Sequence, residues 1–237
     1  FLLLPILTNR LSTADYGVIG TCFAFIRILD IFIGMSGTGA VLRAYLDKDD
    51  KGFNFKSYLF NAIITNLALC LVTLLPLYLA YYLNFIELPF GAILLMPLIV
   101  IFSTLKAYKH KLWNFQNQPF KYSSFLVAFS FLSLILTVVF VYSYLPDWRS
   151  RIYALVFTEA TFCIISLYWL FKEDGVILRW NRVYLTDLLK FGVPLIPHSL
   201  GLTLLAVSDK LMLNSLSGLS DVGILAVASA IASLIML

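Results

Sequence analysis

The feature that most constrains the fold is a set of long stretches without a charged side chain. Thirty residues separate Lys56 from Glu87 with no charge among them, and residues 122–146 form another such stretch. A helix needs roughly 20 mostly apolar residues to cross a bilayer. Hydrophobic residues make up 61% of the 237 residues and charged residues only 13%. This composition excludes a water-soluble enzyme, a disordered chain and a disulfide scaffold, and it predicts an integral membrane protein.

Extending this reasoning along the chain predicts an all-α, polytopic transmembrane bundle of eight segments. No alternation with a period of two residues indicates a barrel. The segments are expected at residues 1–7, 16–39, 58–83, 88–105, 122–146, 152–171, 191–208 and 222–237. Because the chain begins and ends inside an apolar run, the first and last segments are expected to be truncated parts of a longer protein.

Basic residues are distributed unequally between the two sets of connecting loops. One set holds twelve: Arg43, Lys48, Lys51, Lys56, Lys106, Lys109, Lys111, Lys121, Lys172, Arg179, Arg182 and Lys190. The other set holds four: Arg10, Arg149, Arg151 and Lys210. This asymmetry predicts that the first set is cytoplasmic, where it also contacts anionic membrane lipids. The net charge of +4 gives no support for nucleic-acid binding.

A short pattern occurs twice. Asp15-x-Gly17 and Asp221-x-Gly223 lie 206 residues apart, each where an outer loop leads into a helix with Asp or Ser placed to cap it. Six predicted spans separate the two copies, so both lie on the same side of the membrane. The pattern predicts six-helix lobes that are parallel repeats, as in many transporters. The predicted parts are an N-terminal lobe (residues 1–171), a cytoplasmic linker (172–190) and the start of a C-terminal lobe (191–237).

Three charged residues lie within the predicted spans. Arg27 and Asp30 are three residues apart, so they share a helix face. Since a charge at the bilayer centre costs at least about 2.5–3.5 kcal/mol, such residues normally face the bundle interior or a wet cavity. We expect Arg27 to be a cationic site in the lumen, held by Asp30; the alternative is a structural ion pair. Glu159 is an isolated acid, which suits proton coupling or, alternatively, a hydrogen bond to a neighbouring helix.

Two prolines precede the only histidine in the predicted spans. Pro194 and Pro197 free backbone carbonyls and permit a bend, so we expect a hinge here, with His198 in a coupling or gating role. Prolines are also common in the first turn of ordinary helices, which leaves a purely structural role open.

Three segments resemble Wzx-type polysaccharide flippases of the multidrug/oligosaccharidyl-lipid/polysaccharide exporter superfamily. They are Leu4–Ser12 (LPILTNRLS) with Asp15–Gly17, Leu189–Pro197 (LKFGVPLIP), and Ser208–Leu213 (SDKLML) with Asp221–Gly223. Many members have Asp-Arg where this chain has Asp209-Lys210, and Tyr where Ile224-Leu225 follow the glycine. A lysine keeps the charge but loses the forked geometry of arginine. The resemblance implies a role in gating for Asp209 and Lys210.

The resemblance also implies the substrate and the setting. It implies a multi-pass protein of the bacterial inner membrane that flips undecaprenyl-diphosphate-linked oligosaccharides by alternating access, for O-antigen, lipopolysaccharide or capsule synthesis. An ion gradient would supply the energy, as in an antiporter, without any cofactor, metal or enzymatic step. A polysaccharide polymerase and a chain-length regulator are the implied partners. The expected substrate-binding residues are Arg27 with Asp30, Arg10 at the outer mouth, and Arg43 after Gly34–Gly39. Arg43 is expected to contact the diphosphate from the cytoplasmic side; the alternative is a basic anchor that only sets the topology.

Alternative functions remain open. An ion-coupled multidrug or metabolite exporter of the same superfamily would have an acidic or aromatic cavity, which Arg27 disfavours. A membrane-embedded polysaccharide polymerase or glycosyltransferase would need a large outer loop, and the predicted outer loops are short. A scaffold that does not transport is a further alternative. Cys22, Cys70 and Cys163 lie far apart, so neither a metal site nor a disulfide framework is predicted.

Overall fold

The computed structural model describes residues 3–35, 37–49, 52–86, 88–143 and 146–235, and these residues are almost entirely helical. The helices are α1 (Leu3–Arg10), α2 (Thr13–Gly34), α3 (Gly37–Leu46), α4 (Phe55–Tyr82), α5 (Phe90–Phe115), α6 (Pro119–Ser143), α7 (Trp148–Trp169), α8 (Arg182–Gly192), α9 (Leu195–Ser217) and α10 (Leu219–Ile235). A π-helical segment, Leu170–Asp174, continues α7. The all-α prediction is confirmed.

Five helices are long and apolar enough to cross a membrane. They are α2, α4, α5, α6 and α7 with its π-helical extension. Helices α8 and α9 meet at an angle of 41° and together make a sixth candidate span. Helices α1 and α10 are shorter, and parts of the predicted end segments lie outside the described residues. The protein is therefore a multi-pass membrane protein with five or six candidate spans, and the count of eight stays a prediction.

Helix α2 begins where the sequence predicts a cap. The Ser12 hydroxyl accepts the Asp15 backbone N–H at 3.1 Å, while the Asp15 carboxylate accepts the Ser12 backbone N–H at 3.2 Å. These reciprocal bonds form a capping box, which satisfies two backbone donors at once. The second carboxylate oxygen of Asp15 accepts the Trp148 backbone N–H at 3.2 Å. The same acid thus joins the N-terminal ends of α2 and α7.

The predicted span over residues 16–39 is shorter in the structure, because α2 ends at Gly34. Met35 takes a left-handed conformation with φ of 41°, and a separate helix, α3, starts at Gly37. Ser36, which lies between them, is outside the described residues. The left-handed residue at this break is Met35, rather than one of the glycines that the sequence singles out.

The core of the bundle is built around α5. Its residues Ala92 and Val100 are fully buried, as are Ile33 of α2 and Leu59 of α4. By contrast, α4 and α6 present large apolar side chains such as Leu75 and Phe131 to the exterior. An exterior of this kind is suited to lipid rather than to water.

Several basic residues assigned to loops from the sequence are part of helices. Lys106, Lys109 and Lys111 lie on the last turns of α5, which continues to Phe115. Lys109 is fully buried, and its ammonium lies 2.8 Å from Glu173 and 2.5 Å from Asp174. The paired acids offset the cost of removing the lysine charge from water. Helix α5 can therefore continue past its first lysine, where a prediction based on uncharged stretches ends the helix.

Candidate functional site

Arg27 and Asp30 line one cavity of about 440 Å³ between α2, α5 and α9. Their spacing places both on the same face of α2, as the sequence predicts. The cavity wall also carries five hydroxyl side chains: Thr38, Ser103, Thr104, Ser199 and Thr203. Helix α9 belongs to the predicted second lobe, so the cavity lies between the two predicted lobes. A cavity with this lining offers both charge and hydrogen-bonding groups to a polar ligand.

Asp30 does not hold Arg27 directly, in contrast to the expectation from the sequence. Among the described residues, no ion pair or hydrogen bond joins the two side chains. Asp30 instead accepts a hydrogen bond from the Thr104 hydroxyl of α5 at 3.4 Å. Arg27 is exposed to the cavity, and no acid neutralises it in the described part of the chain. Its guanidinium therefore keeps its donors available for an anionic ligand.

A second basic residue lines the same cavity and was not predicted as a site. Lys111 extends from the last turns of α5, and its ammonium donates to the Thr38 hydroxyl at 2.9 Å. The sequence signal was present, because Thr104, Ala107 and Lys111 have the spacing of one helix face. It was missed because Lys111 was counted as a cytoplasmic loop residue.

The inner end of the cavity is shaped by the break between α2 and α3. The buried Asn66 amide of α4 donates to the carbonyls of Ile33 and Gly34, which the end of α2 leaves without helical partners. The Tyr108 hydroxyl in turn donates to the Asn66 side-chain oxygen. A Cβ at Gly37 would lie 2.7 Å from the Tyr108 hydroxyl, so this close approach requires glycine. The break is thus fixed by buried polar contacts.

Arg27 also lines a second cavity, of about 400 Å³, together with Lys210 of α9. The structure therefore brings one of the predicted gating residues to the predicted binding residue. Asp209 is exposed and uses one carboxylate oxygen to accept the Lys210 backbone N–H at 2.8 Å. Three cations therefore line the two cavities: Lys111 in the first, Lys210 in the second, and Arg27 in both.

Glu159 is not isolated, which corrects the sequence interpretation. Its carboxylate on α7 lies 2.6 Å from the Lys106 ammonium on α5, and both side chains are largely buried. The Lys106 ammonium also lies 3.7 Å from the centre of the Phe129 ring. Glu159 does not line either cavity beside Arg27.

The other two predicted arginines lie away from the Arg27 cavities. Arg43 on α3 forms an ion pair of 2.5 Å with Asp187 on α8, and Asp187 also accepts the Tyr58 hydroxyl at 2.7 Å. Partial desolvation of the Arg43 guanidinium acts to lower its pKa. The hydrogen bond to Asp187 and the negative charge of that carboxylate act in the other direction, and the net result is a raised pKa for Arg43. Arg10, at the end of α1, lies 4.5 Å from the centre of the Tyr142 ring.

The prolines lie at the bend between α8 and α9. Pro194 occupies the junction and Pro197 the first turn of α9, as expected for residues that cannot donate a helical hydrogen bond. His198 is exposed and is not among the residues that line the Arg27 cavities. The bend is present, and a hinge motion there stays a prediction.

Comparison with known proteins gives a family and a fold. The family model described as "Polysaccharide biosynthesis protein" matches residues 1–237. No curated protein matches the sequence. A solved inward-facing multidrug resistance MATE family transporter of the MOP superfamily has the same fold, with a TM-score of 0.67 at 18% identity. The alignment covers 94% of this chain but only 55% of that transporter. Because the family model spans every residue, the chain belongs to the polysaccharide biosynthesis protein family, in agreement with the resemblance found in the sequence.

Proposed function

We propose that the protein is part of a membrane transporter that flips undecaprenyl-diphosphate-linked oligosaccharides across the bacterial inner membrane. The observation that carries this proposal is the Arg27 cavity between α2, α5 and α9, where two cations and five hydroxyl groups line one space. Family membership and the MATE-like fold support a transporter rather than an enzyme. The product would serve surface polysaccharide synthesis.

The chemistry of the cavity suits a diphosphate joined to a sugar. Arginine and lysine donate charge-assisted hydrogen bonds to phosphate oxygens, and these bonds are stronger than those between neutral groups. Arg27 and Lys111 supply such donors, and none of the acids in the described ranges forms an ion pair with Arg27. The hydroxyls of Ser199 and Thr203 on α9 suit the hydroxyl groups of a sugar. An apolar polyprenyl tail would remain in the surrounding lipid.

Alternating access between two repeated lobes would move the substrate. In this proposal, residues 1–171 form the first lobe, 172–190 the linker and 191–237 the start of the second lobe. The Arg27 cavity lies at the junction of α2 and α9, which this division assigns to different lobes. The chain spans 55% of the length of the MATE transporter, which supports a longer protein with the remaining helices in the second lobe.

The MATE-like fold favours one second candidate, an ion-coupled multidrug or metabolite exporter. A cavity for cationic drugs needs acidic or aromatic groups. Here Arg27 and Lys111 outnumber the single acid Asp30, so anionic ligands are favoured. The two candidates therefore differ in the charge of the ligand that they predict.

The decisive experiment uses the full-length protein in a bacterial strain whose own flippase gene is deleted. Replacement of Arg27 by Gln is expected to lower surface polysaccharide about tenfold, because a charged hydrogen bond to phosphate is lost. Arg27→Lys should keep part of the activity. Arg149→Gln is the matched control, since Arg149 is exposed and lies 3.7 Å from Asp147 at the start of α7.

Transport of an undecaprenyl-diphosphate-linked sugar into proteoliposomes measures the same step directly. Loss of activity in Arg27→Gln with normal activity in Arg149→Gln is the expected result. Full transport by Arg27→Gln would contradict the proposed site. Export of a cationic dye by the intact protein, without transport of the lipid-linked sugar, would favour the drug exporter.

A further inference from the structure

The two copies of the Asp-x-Gly pattern contact one another at the outer ends of α2 and α10. A Cβ added at Gly17 would lie 1.7 Å from the Leu219 carbonyl oxygen. A Cβ added at Gly223 would lie 2.0 Å from the Thr13 carbonyl oxygen. Real Cβ atoms do not approach an oxygen so closely, so at both positions the backbones touch and glycine is required. Small residues allow this kind of close helix approach in membranes.

The contact is reciprocal. Gly17 and Gly223 correspond in the two copies, which are 206 residues apart, and the same offset relates Thr13 to Leu219. Each glycine therefore packs on the residue four positions before the other glycine. When two equivalent segments contact each other through the same pair of positions in both directions, they are related by two-fold symmetry. The repeat seen in the sequence is thus also a symmetric interface between α2 and α10.

A hydrogen bond adds to this interface on its exposed side. The Thr13 and Ser220 hydroxyls lie 2.9 Å apart, and both residues are exposed. Further along the helices the contact is looser, because a Cβ at Gly20 would lie 3.2 Å from the Ala226 Cβ. Backbone contact is thus tightest at the outermost turn of α2.

The position of the contact relative to the cavity suggests what it does. Arg27 lies ten residues after Gly17 on α2, which corresponds to about 15 Å along the helix. The cavity extends from Arg27 toward Thr38 and Lys111, which is the side that the basic residues mark as cytoplasmic. The glycine contact therefore lies between the cavity and the outside.

We propose that Gly17 and Gly223 form the outer gate, a reversible helix contact that closes the Arg27 cavity to the outside. This inference rests on the proposed alternating-access transport. Closing brings two glycine backbones together and joins the Thr13 and Ser220 hydroxyls, while opening separates α2 from α10 and exposes apolar side chains such as Val222 and Val227. Flat backbone surfaces and one exposed hydrogen bond suit a contact that must form and break in each cycle.

Disulfide trapping tests the gate in the full-length protein. In the Thr13→Cys/Ser220→Cys double variant, oxidation is expected to form a cross-link, measured by counting free thiols after denaturation. Transport of the lipid-linked sugar in proteoliposomes should then fall about tenfold and recover on reduction. The two single variants, exposed to the same oxidant, control for reactions of the native cysteines, which are all buried. Failure to cross-link, or full transport by the cross-linked protein, would overturn the gate.

Glycine variants provide an independent measurement. Gly17→Ala and Gly223→Ala should hold the gate open. A cysteine that replaces Val222, which is fully buried beside Gly20, should then react faster with a membrane-impermeant maleimide added from outside. Gly201→Ala on α9 is the matched control, because a Cβ there meets nothing within 4 Å. Equal labelling of Gly17→Ala and the parent protein would contradict the proposal. Labelling requires no substrate, so it tests the gate separately from the proposed function. If labelling changes as expected but the protein does not transport the lipid-linked sugar, the proposed substrate is wrong and the gate is supported.

Discussion

Lys106 and Glu159 form a buried ion pair between α5 and α7, with 2.6 Å between the ammonium and the carboxylate. Neither residue lines the Arg27 cavities, so the pair joins two helices of the predicted first lobe. An acid that is paired with a lysine is expected to stabilise the packing of two helices, whereas the isolated acid that the sequence suggests is suited to proton coupling.

Replacing Glu159 by Gln leaves the Lys106 ammonium buried without its acid. Breaking a buried pair from one side costs about 3–5 kcal/mol, so we expect a clear drop in the melting temperature in detergent. The double variant Lys106→Met/Glu159→Met removes both charges and should recover most of the stability and the transport activity. If the double variant is stable but has lost ion-driven transport, Glu159 is a coupling residue after all.

Lys111 should contribute to substrate binding less than Arg27 does. Its ammonium is already bound to the Thr38 hydroxyl, whereas no acid of the described chain neutralises Arg27. We expect Lys111→Gln to raise KM for the lipid-linked sugar several-fold, because one charged hydrogen bond to the substrate is lost. The turnover number should change less. Lys48→Gln is a suitable control, because Lys48 is an exposed residue that contacts Tyr45. A larger effect from Lys111→Gln than from Arg27→Gln would reverse the proposed order.

Asn66 should be essential for the break between α2 and α3. In Asn66→Ala the carbonyls of Ile33 and Gly34 lose a buried donor, at a cost of about 1–3 kcal/mol. Thermal unfolding in detergent measures this loss, and Asn9→Ala on the exposed end of α1 provides the comparison. A melting temperature unchanged by Asn66→Ala would mean that the break is held by other contacts.

Arg43 should act through Asp187 rather than on the substrate. Both side chains are substantially exposed to water, 44% and 41%, so the ion pair is expected to stabilise the protein by no more than about 1 kcal/mol. Exchange of the two charges in Arg43→Asp/Asp187→Arg should therefore restore transport lost in Arg43→Asp alone. A double-mutant cycle on transport rates measures this coupling. Failure of the exchange would favour the diphosphate contact expected from the sequence.

The sequence predicts helix positions best where a long uncharged stretch is enough to identify a membrane span. Residues 57–86 hold no charge, and α4 fills almost all of them. The shared face of Arg27 and Asp30 also follows from their spacing, because three residues make nearly one helical turn. Both predictions depend only on positions close together in the chain.

The parts that the sequence could not supply depend on contacts between distant positions. The partner of Glu159 lies 53 residues earlier, on another helix, and no local pattern identifies it. The carbonyls at the end of α2 are satisfied by Asn66, which lies 32 residues after Gly34. Lys111 was assigned to a loop because counting uncharged residues ends a helix at its first charge. Helix α5 continues beyond that charge, with Lys106 and Lys109 paired to acids and Lys111 bound to a hydroxyl.

The reciprocal packing of Gly17 and Gly223 has a consequence for how the gene can change. Each glycine faces a backbone carbonyl of the other helix. A substitution at one glycine therefore cannot make room for a larger residue at the other. The two codons are therefore under the same constraint although 206 residues separate them. Compensation for a mutation at one glycine must come from a shift of a whole helix. We expect genetic suppressors to map to the connections before α2 and α10, not to the opposite glycine.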